Sequence, residues 1–250
     1  MTVDTPLQIK RSGLVTVLDT IVSPSEAFET LREVPMWGWA FIVAIVLMIV
    51  AALLERQASA HAGYILMQQM IAHNSTMAQM PDAKKQQMLA NAANPPLWQM
   101  LFGFIVIPVI LLLIVTVQTV ILVIGNAVGK GQASFKQLWC ALMNIAVASA
   151  GIGGLVIGII ALVRGPNGYN SIADIQNSLP SLAFLSFGNS GALSTFLAQV
   201  NPFSVWGAVL SAIAMLIIAK TSKVISFIFP ILILLLGGGI AAGLSVLTPK

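Results

Sequence analysis

"WGWAFIVAIVLMIVAALL", residues 37–54, runs for 18 residues without a charged side chain. At 1.5 Å per residue a helix of that length covers about 27 Å, close to the ~30 Å hydrocarbon core of a bilayer. Trp37 and Trp39 at its head suit the membrane interface, and Glu55 and Arg56 close it. The stretch reads as a membrane-spanning helix. Four more segments read the same way, at about 100–125, 137–163, 203–219 and 224–247, and none contains a charged residue. The fold class expected is all-α: a polytopic membrane protein with five transmembrane helices.

Composition supports that class. Only 8% of the 250 residues are charged and 58% are hydrophobic, with a mean hydropathy of +0.93. Soluble domains carry about 25% charged residues, so this chain lacks the polar surface to face water. The net charge of +4 is scattered and forms no basic block, which argues against a nucleic-acid partner. Cys140 is the sole cysteine, so no intrachain disulfide or Cys-based zinc site can form. Residues 1–36 lack the apolar core and cleavage site of a signal peptide, so the first span is expected to serve as both signal and anchor.

Orientation follows the short loops. With the N-terminus inside, the inner segments hold Lys10, Arg11, Arg32, Lys130, Lys136, Lys220 and Lys223. The outer ones hold Arg56, Lys84, Lys85, Arg164 and Lys250, seven cations against five. The two inner loops are short and purely cationic. The expected organisation is a cytoplasmic segment 1–36 and a membrane domain 37–250, with outer loops 55–99 and 164–202 and the C-terminus outside. In the first outer loop Met67, Met70, Met77 and Met80 recur at helical spacing, so the first helix is expected to run past the membrane or along it. A further helix starts near Asp82 and ends before Pro95 and Pro96. In the second, "LPSLAFLSF" is too short to span and reads as interfacial or re-entrant.

"GKGQASFKQLW", residues 129–139, invites a nucleotide reading. Gly125, Gly129 and Lys130 give G-x-x-x-G-K, one residue short of the phosphate-loop pattern, and Gly131 stands where Ser or Thr should hold magnesium. A tight cytoplasmic reversal fits better, with Gly129 and Gly131 making the turn. Lys130, Lys136, Lys220 and Lys223 are then candidates for contact with lipid head groups or partners. The G-x-x-x-G pairs Gly125/Gly129, Gly154/Gly158 and Gly239/Gly243 point to close helix packing, within one bundle or between copies.

Gln118, Asn126 and Asn144 are the intramembrane polar candidates. Gln118 and Asn144 lie roughly 10 Å deep on antiparallel neighbours, where a bond between the amides would hold the helices together. No buried ionisable group is available to couple an ion, which counts against a driven pump but not a passive path. His73, Met77 and Met80 would share one helical face and form a soft copper set, although methionine at this spacing more often makes an apolar stripe. No cofactor site is expected. The two histidines and scattered acids match no catalytic pattern, so no enzyme is expected.

Three stretches resemble the Yip-domain family of Ypt/Rab-interacting membrane proteins. "GKGQASFKQLWCALMNIA" is similar to that family's short loop and third-helix start. "IVSPSEAFETLREVPMWGW" resembles its Pro-x-x-x-Phe approach to the first span, here Pro24 and Phe28. "SLAFLSFGNSGALSTFLAQVNPFSVWGAVLSAIAM" resembles the lead into the fourth, with Asn201, Phe203 and Trp206 in place. Two departures stand out: Asn201 replaces a common acid, and "ASAGIGG" replaces a proline that often ends the first half of the third helix. The Met-rich outer loop is more like bacterial members, implying a bacterial inner membrane. The resemblance implies a membrane-organising or trafficking-like scaffold or adaptor. Its partners would be the bilayer, other membrane proteins or a second copy, with a small GTPase by family analogy. A passive transporter, channel or lipid scramblase is the alternative, favoured by a continuous polar groove through Gln118, Asn126, Asn144 and the third-helix serines.

Overall fold

Ser12 accepts a hydrogen bond from the Val15 amide (3.3 Å) and caps α1, Gly13–Val22. Residues 12–187 and 191–247 are described by the computed structural model of the chain, so Lys10, Arg11 and Lys250 of the orientation count lie outside the described residues. Thr16, Val17 and Thr20 of α1 are buried, while Leu14, Val15, Leu18 and Val22 are exposed. A Cβ on Gly13 would stand 2.8 Å from the Trp39 ring, which sets α1 beside the head of the first long helix.

Pro24 takes the first turn of α2, Pro24–Glu33, where its missing N–H has no helical partner to lose. Phe28 follows one turn later and is fully buried with Leu31. The Pro-x-x-x-Phe pattern is thus a helix start and the anchor that docks it.

α3, Gly38–His73, is unbroken for 36 residues. At about 54 Å it is far longer than a bilayer core, the continuous length needed for a helix that runs past the membrane or along it. α4, Ser75–Ala78, and α5, Asp82–Ala93, return alongside it. α6, Leu97–Val128, contains Pro108. Its exposed Leu101, Ile105, Val109, Leu113, Val117, Val120 and Ile124 form a lipid-facing stripe at helical spacing.

The third crossing is composite: α7, Phe135–Ala146, a π-helical turn Val147–Ile152, and α8, Gly153–Arg164. The π turn falls on the "ASAGIGG" stretch, and a Cβ on Gly151 there would lie 3.0 Å from Leu47 of α3. α9, Ile172–Gln176, and a 3-10 turn, Leu182–Ser186, fold the segment that follows.

α10, Ala192–Ala198, meets α11, Pro202–Ile217, at a bend of 58°. Asn201 makes the break: its Oδ1 accepts from the amides of Phe203 (3.0 Å) and Ser204 (3.1 Å), and Pro202 stands at N1. Asparagine serves an N-cap as well as aspartate does, so the departure from the family's acid keeps the structural role. α12, Lys223–Leu247, carries Pro230.

Among the described residues there is no strand. Four helices are long and apolar enough to cross a membrane, and the bent α10–α11 pair makes up to five. α11 alone, at 16 residues or about 24 Å, falls short of the core thickness. α7 sits at the centre, with Leu138 and residues 140–146 buried against α3, α6 and α11. A second small core, Ala58, Ala62, Ala161, Tyr169 and Ile175, lies at the other end of α3, where the Arg164 guanidinium stacks 4.8 Å from the Tyr169 ring centre.

Candidate functional site: the paired lysine loops

The α6–α7 and α11–α12 turns lie against each other. Gly131 N donates to Asn126 O (2.7 Å), and Gln132 N donates across to Ala219 O (2.9 Å). A Cβ on Gly129 would meet Thr221 at 2.7 Å, and one on Gly131 would collide with Asn126 Oδ1 and Ala219 O. These glycines are required by the approach of the second turn, which accounts for a spacing that resembles a phosphate loop. Lys130 and Lys220 both hold left-handed backbone, at φ 51° and 54°. Such conformations persist in non-glycine residues only where surrounding contacts impose them.

Asn126 fixes the first turn. Its Nδ2 donates to Ala133 O (3.0 Å) and its Oδ1 accepts from Ala133 N (3.3 Å). Ser134 then caps α7 in a reciprocal box with Gln137. The remaining Gln137 amide donates to Arg32 O (2.5 Å), while Arg32 Nη1 donates to Ile217 O (3.4 Å). A cation at the last carbonyls of α11 also matches the negative end of that helix dipole. α2, α7 and α11 are therefore tied together beneath the two loops.

Lys130, Lys136, Lys220 and Lys223 are all exposed, and none makes an ion pair among the described residues. The backbones of the Lys130 and Lys220 turns are in direct contact; Lys136 and Lys223 stand in the first turns of α7 and α12.

The expected Gln118–Asn144 bond is not formed. Asn144 Nδ2 donates instead to Met36 O (3.0 Å) and Cys140 O (2.8 Å). Met36 belongs to the non-helical link 34–37, whose carbonyl needs a donor in an apolar setting. Gln118 lines a cavity between α6, α7, α11 and α12.

The copper set also fails as drawn. The helix stops at His73 because Asn74 turns its side chain onto the amides of Thr76 (3.0 Å) and Met77 (3.3 Å) and starts α4. The three residues therefore do not share one continuous helical face, and His73 Nδ1 lies 2.9 Å from Gln69 O.

The glycine pairs differ in their surroundings. A Cβ on Gly125 would run into Phe229 of α12 at 2.6 Å, and one on Gly158 would lie 3.0 Å from Ala51 O of α3. One on Gly154 would make ordinary contact with Ala51 at 3.7 Å. Gly239 and Gly243 meet nothing within 4 Å among the described residues, whereas Gly238, one step round the helix, faces Phe196 of α10. From the sequence Arg32 counts only as an inner cation and Gln137 only as the start of a span, although Ser134-x-x-Gln137 is a readable capping box.

No curated protein and no solved structure matches the chain. The model of the Yip1 domain matches residues 18–244, from within α1 to near the end of α12. The match takes in the Pro24–Phe28 helix, the paired loops and the Asn201 cap, and by that extent the chain belongs to the Yip1 domain family of multi-pass membrane proteins.

Proposed function

We propose that this protein is a non-enzymatic scaffold or adaptor of the bacterial inner membrane, with its N-terminus inside, its C-terminus outside and the paired loops on the cytoplasmic face. The observation that carries the reading is the tie of Arg32, Gln137 and Ser134 under two mutually braced turns. It holds four lysines that make no ion pair among the described residues on a fixed frame, the arrangement a docking surface for lipid head groups or an acidic partner requires. α2 adds Glu26, Glu29 and Glu33, giving the surface both signs. Residues 12–36 form two helices packed on the bundle, so a partner, including the small GTPase that family analogy suggests, would meet a helical hairpin and the loops together.

The passive-path alternative draws on the cavity beside Gln118 and Ser149. Asn126 and Asn144, which a continuous groove would need, are bonded to backbone carbonyls instead. The polar lining therefore stops short of the lysine loops.

Photo-crosslinking in native membranes tests the docking surface. A photoreactive residue at Lys136 or Lys220 is expected to give a discrete adduct, weakened by Asn126→Ala, while one at the outer Gln57 gives none. Adducts from Gln57 alone would overturn the reading.

A further inference from the structure

The cavity between α6, α7, α11 and α12 measures about 210 Å³ and is partly open. Its polar lining is Gln118, Ser149, Gln199, Ser204 and Ser211, and among the described residues no charged one borders it. Counting from the lysine-bearing ends, Ser211 lies about 9 Å in and Ser149 about 21 Å in, inside a core ~30 Å thick. The floor includes the π turn, a departure from regular helix that recurs at functional sites. A Cβ on Gly207 would come within 3.0 Å of Ser149 Cβ, so α11 lies close on the serine-bearing turn. On the far wall, α12 is held at Gly125 against Phe229 and at Gly238 against Phe196. Between those contacts it passes the cavity with Pro230, which lacks a helical N–H.

The lining states which chemistry fits. Ser149 donates to Ile145 O (3.1 Å), Ser211 to Gly207 O (2.8 Å), and Ser204 to Gln199 O (2.6 Å). Their protons are engaged, Ser204 Oγ also accepts from Asn201 N (3.0 Å), and the lone pairs that remain can only accept. Gln118 makes no hydrogen bond among the described residues, so its amide offers donors and an acceptor. An unmatched amide at this depth is costly, which favours a bound polar group. A hydroxyl would donate to serine oxygen, and a carbonyl would accept from Gln118. A phosphate or carboxylate would be left without a counter-charge.

We propose that this cavity binds the head of an uncharged two-chain lipid with a free hydroxyl and an ester carbonyl, a diacylglycerol. Its acyl chains would leave through the partly open side of the cavity, past the apolar Ile233 and Leu234 of α12 that line it. The site is independent of the docking surface and survives if that reading fails.

The test uses full-length protein in phosphatidylcholine nanodiscs with photoreactive diacylglycerol, and photoreactive phosphatidylglycerol as the charged control. Diacylglycerol is expected to label α6, α11 or α12 peptides around the cavity saturably, and unlabelled diacylglycerol should compete. Ser211→Leu should weaken that labelling about tenfold, the effect of losing roughly one good hydrogen bond together with the space to make it. Gln118→Leu, which breaks no internal bond, covers the event that Ser211→Leu fails to fold, and the same loss is expected. Equal labelling by both probes, labelling that does not saturate, or unchanged labelling in the folded variants would overturn the proposal.

Discussion

Asn144→Leu separates the observed arrangement from the amide pair expected of the sequence. Asn144 is buried and donates to Met36 O and Cys140 O. Cys140 O keeps the main-chain bond of its helix, whereas the Met36 carbonyl, in the non-helical link 34–37, loses its donor. Leaving such a group unmatched costs about 1–3 kcal/mol. Replacing an amide by a similar-sized apolar side chain returns at most about 1 kcal/mol. Taking about 2 kcal/mol, the middle of that range, and returning up to about 1, the expected net loss is about 1–2 kcal/mol. Gln118→Leu breaks no hydrogen bond and removes an unmatched amide, so it should be as stable as wild type or more so by about 1 kcal/mol. Reversible unfolding in mixed micelles, titrated with SDS and followed by tryptophan fluorescence, measures both variants and their double mutant. Equal losses in the single variants, with no further loss in the double, would restore the Gln118–Asn144 pair and refute the reasoning. So would an Asn144→Leu protein as stable as wild type.

The same titration should show Gly158→Ala losing about 1–3 kcal/mol, because its new Cβ would lie 3.0 Å from Ala51 O. Gly239→Ala, with nothing within 4 Å, should be neutral or gain up to about 1 kcal/mol in helix propensity. If α1 lies in the membrane interface with Leu14, Leu18 and Val22 toward lipid, a nitroxide at Leu18 will be relaxed more by oxygen than by a water-soluble nickel chelate. The reverse order would place that face in water. Reporter fusions in the Gly129 loop and after Lys250 should register opposite sides of the membrane, and the same side for both would contradict the N-inside, C-outside reading.

The spans were legible because uncharged runs such as residues 37–54 and 100–125 admit no competing interpretation at that length. Local caps were legible too: Ser134-x-x-Gln137 and Asn201-Pro202 announce helix starts by side-chain chemistry alone. Asn74 carried the same kind of signal, and weighing it would have ended the helix before the supposed copper face. What lay beyond the sequence is what depends on distant partners. Met36 is 108 positions from Asn144, so nothing local identifies the carbonyl that the amide satisfies. The π turn answers to the fit against Leu47, and the fate of Gly239 depends on which side of α12 faces α10. The lysine loops were individually visible, but their mutual bracing required Ala219 and Thr221 to arrive from the far end of the chain.

In the function proposed, the protein works through its braced loop surface while the bundle stays closed to passage. Fluorescent-lipid bleaching in proteoliposomes tests it most directly, with dithionite added outside vesicles reconstituted over a range of protein densities. A closed bundle leaves the inner-leaflet lipid protected at every density. Loss of that protected fraction in proportion to the protein present would contradict the account and make the molecule a scramblase.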